Sequence, residues 1–109
     1  MRLKTKQFEC WVDMEEGGKF LIREFLPSKQ KEILAKNGEN RAGIIIDLYK
    51  YQFRDWEGIT DQDGNVLPYS KENLALVIEN DLDTLNAAMI LFRGRLAEHE
   101  EAIKSAEKN

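Results

Sequence analysis

The sequence predicts an α+β domain: an N-terminal β-hairpin followed by a mostly helical region that ends in a long helix. Three observations carry this. Two aromatic and β-branched runs flank a Gly-Gly turn near the start, capping residues precede the later apolar-periodic stretches, and the final stretch repeats apolar residues at helical spacing. A length of 109 residues with 42% hydrophobic content suits one domain with its own core and is short for two.

The runs "KQFECWV" and "KFLIREF" are separated by "DMEEGG", where Gly17 and Gly18 supply the positive φ angles of a turn, so residues 6–26 are expected to form the hairpin. Phe8, Cys10 and Val12 share one face of the first strand. Leu21 and Ile22 are both apolar in the second, as in a strand covered on both sides. Pro27 ends that strand, and Ser28 is the expected cap of a helix over 28–37 that stops at Asn37 and Gly38.

Residues 41–54 fit two templates. Tyr49, Tyr51 and Phe53 alternate with polar residues at period two, whereas Ile45, Leu48, Tyr49, Gln52, Phe53 and Trp56 follow helical spacing. Composition favours a strand and length favours a helix, which is the preferred reading because so long a strand is unusual.

Residues 55–69 are expected as a loop. Residues 70–79 are expected as a helix capped by Ser70, with Leu74, Val77 and Ile78 on one face and Pro68 preventing an earlier start. Asn80 and Asp81 break and recap the chain before a last helix over 82–105. Its residues Leu82, Leu85, Met89, Phe92 and Leu96 are spaced alternately three and four apart, a stripe suited either to a partner helix or to packing on its own domain. Past Gly94 the chain is highly charged, and that end is expected to fray or project.

Composition excludes several function classes. The longest apolar run, Ala87 to Phe92, is far short of the roughly 20 residues of a membrane-spanning helix, and "MRLKTKQFEC" lacks the apolar region of a secretory signal. A soluble, unexported chain is expected, with no membrane partner. The single cysteine, Cys10, fits a reducing cytoplasm. Twenty acidic against sixteen basic residues give a net charge of −4, so there is no basic field to draw nucleic acid by counterion release. Lys29, Lys31 and Lys36 cluster beside Glu32 and read as a solvated helix face.

The stretch "DWEGITDQDGNVLPYSKE" raises a metal question. Asp61, Asp63, Asn65 and Glu72 occupy positions 1, 3, 5 and 12 of a calcium-loop spacing. The glycine such a loop needs at position 6 is replaced by Val66, Gly64 stands at position 4, and Pro68 removes a backbone donor. The four oxygens are therefore rejected as a metal site, and "DQDGN" reads as a tight turn.

His99 lies within "AEHEE" on what reads as a solvated helix face, without a second histidine or a neighbouring nucleophile. The acidic pairs Glu15 and Glu16, Asp61 and Asp63, and Asp81 and Asp83 sit in or beside turns, where acids serve as caps. No glycine-rich phosphate loop follows a strand. The expectation is a non-enzymatic domain without cofactor or metal.

The residues Trp56, Gly58, Ile59, Asp61, Gly64, Pro68, Tyr69, Ser70, Glu72 and Asn73 form the pattern W-x-G-I-x-D-x-x-G-x-x-x-P-Y-S-x-E-N over residues 56–73. This pattern resembles the central motif of the small tail assembly chaperones of long-tailed bacteriophages and prophages. The layout is also similar: a short β-rich start, a helix, a Trp-Gly loop, a helix introduced by Pro-aromatic-Ser, and a charged helical tail. The resemblance implies a protein of the bacterial host cytoplasm that binds the tape measure protein and keeps it soluble until the tail tube forms, self-associates, and has the tail tube protein as a further partner. A phage structural or connector protein retained in the virion, and an unrelated small interaction domain, are the alternatives.

Within the motif Trp56, Gly58, Gly64, Pro68, Tyr69 and Ser70 read as fold-defining: an indole that anchors the loop, two backbone glycines, and a device that starts the next helix. The client surface is expected on the Leu82, Leu85, Met89, Phe92 and Leu96 stripe, where Met89 adds adaptability.

Overall fold

The two apolar runs pair where the glycines let them turn. Gly17 and Gly18 both adopt positive φ, at 96° and 83°, and the turn closes through Met14 N–H to the Gly18 carbonyl at 3.0 Å and Gly17 N–H to the Met14 carbonyl at 3.1 Å. The computed structural model describes residues 1–107. Strands β1 (Glu9–Asp13) and β2 (Lys19–Arg23) form the hairpin; α1 (Pro27–Asn37), α2 (Arg41–Gln52), β3 (Phe53–Glu57), α3 (Lys71–Asn80) and α4 (Leu82–Glu107) come after it in the chain. The α+β class, the N-terminal hairpin and the long C-terminal helix are all present.

A third strand joins the hairpin where the sequence pattern suggests the end of one element and the start of a loop. β3 pairs antiparallel with β2, giving the order β1-β2-β3. The ambiguous segment 41–54 is thus a helix as far as Gln52 and a strand from Phe53 onward, with no loop between them. The helical spacing holds through Gln52, whereas the period-two set Tyr49, Tyr51 and Phe53 straddles the junction, with its first two members inside α2.

The β2–β3 register explains why β3 escapes the alternation test. Phe20 pairs with Trp56 and Leu21 with Asp55, but Ile22 pairs with Phe53, so Arg54 is an extra residue in a β-bulge. Phe53 and Trp56, three apart, therefore both face inward, at 0% and 4% exposure. A strand of strict period two cannot do this.

The inner face of the sheet carries Val12, Phe20, Ile22, Phe53 and Trp56. It forms one cluster with Tyr49 of α2, Leu74 and Ile78 of α3, and Leu85, Ala88, Met89 and Phe92 of α4. Helix α4 lies against β1 and β2, and α3 packs on α2 and α4. Phe8 and Cys10 pack on the edge of this cluster, as their alternation with Val12 requires. The opposite sheet face is half-covered: Trp11 and Leu21 are intermediate in exposure, and the Lys19 ammonium stands 4.9 Å from the Trp11 ring centroid.

Helix α1 starts one residue earlier than the sequence suggests. Pro27 occupies its first turn behind Leu26, with no side-chain cap, so Ser28 lies inside the helix. The fixed φ of proline and its missing N–H suit it to that position and remove the need for a capping hydroxyl. The helix ends at Gly38, φ 57°, whose N–H reaches the Leu34 carbonyl at 2.9 Å. Asn40 then caps α2, accepting the Gly43 N–H at 3.1 Å.

The last helix has the expected span but not the expected solvated end. α4 continues unbroken past Gly94 to Glu107. His99 is half-buried rather than solvated, stacked on Phe8 with ring centroids 4.5 Å apart, while Lys4 lies 3.6 Å from Glu100. The N-terminal segment thus covers this part of the helix.

Two glycines should respond oppositely to alanine. A Cβ at Gly18 would stand 2.7 Å from Ile59 Cδ1 and 3.0 Å from the Gly58 carbonyl, at a positive φ. Gly18→Ala is expected to cost about 1–2 kcal/mol. At Gly94, inside α4, a Cβ meets nothing within 4 Å, and Gly94→Ala should add roughly 0.5–1 kcal/mol. Chemical denaturation of the two variants checks both signs.

Candidate functional site

Trp56 organises the loop after β3. A buried indole needs an acceptor for its N–H, and Trp56 Nε1 donates to the Leu67 carbonyl at 2.7 Å. The ring also meets Phe20 and Tyr69 edge-on, with centroids 6.1 and 5.1 Å away. The indole thereby joins the two ends of the loop. Within it, Leu67 N–H donates to the Ile59 carbonyl at 2.9 Å, and Thr60 bridges Val66.

The loop tip is closed by Asp61. Its Oδ1 accepts the N–H groups of Asp63 at 2.9 Å and Asn65 at 3.0 Å, its own N–H donates to the Asn65 carbonyl at 2.8 Å, and Gly64 N–H reaches the Asp61 carbonyl at 3.1 Å. Gly64 takes φ 83° and Gly58 φ 71°. Asp61 is an Asx-type turn residue whose carboxylate serves its own backbone. Glu72 lies apart in the first turn of α3. Among the described residues no group of three or more His, Cys, Asp or Glu side chains is placed to hold a metal ion.

The end of the motif launches α3. Tyr69 donates its hydroxyl to the Phe53 carbonyl at 2.7 Å, the Ser70 hydroxyl accepts the Asn73 N–H at 3.0 Å, and Asn73 Nδ2 donates to the Pro68 carbonyl at 2.9 Å. Trp56, Tyr69, Ser70 and Asn73 thus form a connected set of bonds that ties β3, the loop and α3 together. Burial raises the Tyr69 hydroxyl above its ordinary pKa, helped by the negative charge of Asp55. The same burial effect raises Tyr49, whose hydroxyl donates to Asn86 Oδ1 of α4.

The apolar stripe of α4 lies in the domain's own core. Leu85, Met89 and Phe92 are at most 1% exposed, while Leu82 and Leu96 are partly buried against the same cluster. The stripe expected to meet a client therefore offers it little surface. The reason is physical: the inner face of the sheet is entirely apolar, and α4 is the helix laid across β1 and β2 to cover it.

What the stripe conceals, the other side of the helix exposes. Ile90 is 66% and Leu91 46% exposed, and Ala87 one turn earlier is exposed as well. Helical periodicity places these residues opposite Leu85, Met89 and Phe92. The signal is present in the unbroken run Ala87–Phe92: a helix segment apolar all round must show part of its apolar surface unless something covers it.

A family model described as YdaY prophage protein matches residues 22–109. The chain belongs to that family and is a prophage protein. No curated protein and no solved structure matches it.

Replacing Tyr69 by Phe removes the bond to the Phe53 carbonyl and should cost about 1 kcal/mol. The raised hydroxyls add a pH dependence. Because the folded pKa values of Tyr49 and Tyr69 lie above the ordinary 10.0, their stabilisation is complete below that value and is lost as pH rises through the folded values. Denaturant midpoints measured across that alkaline range should fall less steeply for the Tyr49→Phe, Tyr69→Phe double variant than for the wild type.

Proposed function

We propose that this prophage protein is a non-catalytic tail assembly chaperone that binds the tape measure protein and keeps it soluble until the tail tube forms. The observation that carries the reading is the outward face of α4, where Ile90 and Leu91 stand exposed on a helix whose opposite side is already buried. A largely helical client is held by burying an apolar strip of its surface on such a face. Two further points support the reading. The motif that resembles the chaperone family forms one bonded unit around Trp56, Tyr69 and Ser70, and the chain's family is a prophage family.

The client contact is assigned to Ala87, Ile90 and Leu91, with Leu82 and Leu96 at the margins of the inward stripe. Burying what remains exposed of Ile90 and Leu91 contributes about 1 kcal/mol each, enough to matter when several copies bind one extended client. Tape measure fragments co-expressed with the wild type should stay in the supernatant. With the Ile90→Asp, Leu91→Asp variant they should pellet, while the variant's own melting temperature stays near that of the wild type. Equal solubilisation by the variant would remove α4 from the contact. Abundant protein in purified virions would assign the chain instead to a structural or connector role.

A further inference from the structure

We propose a second binding site: a cleft between β2, α1, α2 and the start of α3 that takes an acidic segment of a protein partner. The cleft has a volume of about 270 Å³ and gathers five cations, Arg23, Lys29, Lys36, Lys50 and Lys71, in a chain whose net charge is −4. Lys29 and Lys36 belong to the lysine group that reads from sequence as a solvated face. Folding brings them beside cations from three other elements, which sequence proximity does not reveal.

Two carboxylates share the lining, and both are already committed. Glu32 is 3.3 Å from Lys29, and Asp47 is 3.3 Å from Lys36. Asp47 also accepts from Asn37 Nδ2 at 2.9 Å, a bond that, with the lysine charge, lowers its pKa. Arg23, Lys50 and Lys71 make no ion pair with a carboxylate among the described residues. Like charges concentrated in one cleft repel each other and create a positive potential that an anion relieves.

Arg23 is held ready. Its Nε donates to the Tyr51 carbonyl at 2.8 Å, and its guanidinium carbon lies 3.7 Å from the centroid of the Tyr51 ring. Tyr51 is fixed in turn by Phe25, edge-on at 5.9 Å, and by Gln7 Nε2, 2.8 Å from the Tyr51 hydroxyl. With Nε occupied, the terminal guanidinium nitrogens are left to grip a carboxylate, and little side-chain freedom is lost on binding.

The interleaved Glu32 and Asp47 select among anions. A phosphodiester chain carries negative charge at every step and would be repelled by both carboxylates, whereas a protein segment can place its glutamates opposite Arg23, Lys50 and Lys71 and keep uncharged or basic residues beside Glu32 and Asp47. Tyr51 also has Arg23 against its ring, which disfavours it as a stacking platform for a base. The ligand is therefore an acidic protein segment rather than nucleic acid. The site uses none of the α4 residues assigned to the client, so it stands or falls separately from the chaperone reading.

The test uses the full chain and a fluorescein-labelled helical peptide carrying glutamates in i, i+4 pairs with interspersed lysines, alongside a single-stranded oligonucleotide of similar length. Fluorescence anisotropy at low salt should show binding of the peptide in preference to the oligonucleotide, weakened as the screening length shortens at high salt. Lys50 and Lys71 are exposed, so Lys50→Gln plus Lys71→Gln should leave the melting temperature close to that of the wild type while lowering peptide affinity by about fivefold or more. Arg23→Gln should weaken the peptide on its own. Absence of peptide binding at low salt, unaltered affinity in the double variant, or preference for the oligonucleotide would each overturn the proposal.

Discussion

The structure depends on Phe53 and Trp56 both reaching the core from one short strand. The bulge at Arg54 makes this geometry available, and the loop and α3 are both anchored through it. Trp56, turned inward, finds the Leu67 carbonyl and closes the loop. Phe53, turned inward, offers its backbone carbonyl to Tyr69 and fixes where α3 begins. A regular strand would send one of the two rings to solvent, separating either the loop or the start of α3 from the sheet. The free energy at stake is that of burying a large aromatic side chain together with its hydrogen bond, several kcal/mol by usual magnitudes.

This explains why the motif of residues 56–73 is a set of turn, cap and ring residues without catalytic side chains. Each has a local duty: Asp61 closes the tip, Gly58 and Gly64 take positive φ, Ser70 caps, and Asn73 ties the first turn of α3 back to Pro68. A motif of this kind preserves the architecture that displays a surface. In this chain the exposed Ile90 and Leu91 lie on α4, outside the motif, and the cationic cleft is lined chiefly by β2, α1 and α2.

The hairpin, α3 with its Ser70 cap, and the span of α4 are legible in the sequence because each rests on local periodicity and local caps. The features that are not legible depend on long-range geometry. β3 is hidden because a bulge breaks the period-two pattern and because α2 runs into it without a turn. The core role of Leu85, Met89 and Phe92 is one of two readings of the sequence, since a heptad-like stripe looks the same whether it faces a partner or its own sheet. His99 reads as solvated because nothing near it in sequence indicates Phe8, ninety-one residues away, as its stacking partner. The five cations of the cleft come from four elements, and none of their spacings hints that they meet.

Helix α1 is the most lightly attached helix of the fold. Among the described elements it rests mainly on α2, it buries Ile33 alone, and that side chain lies outside the main apolar cluster. Its attachment is completed by polar links through Asn37 and Lys36 to Asp47. An element so lightly moored opens at low free-energy cost while the sheet and α4 stay intact. The wall that carries Lys29 and Lys36 is therefore the side of the cleft whose displacement costs the rest of the fold least.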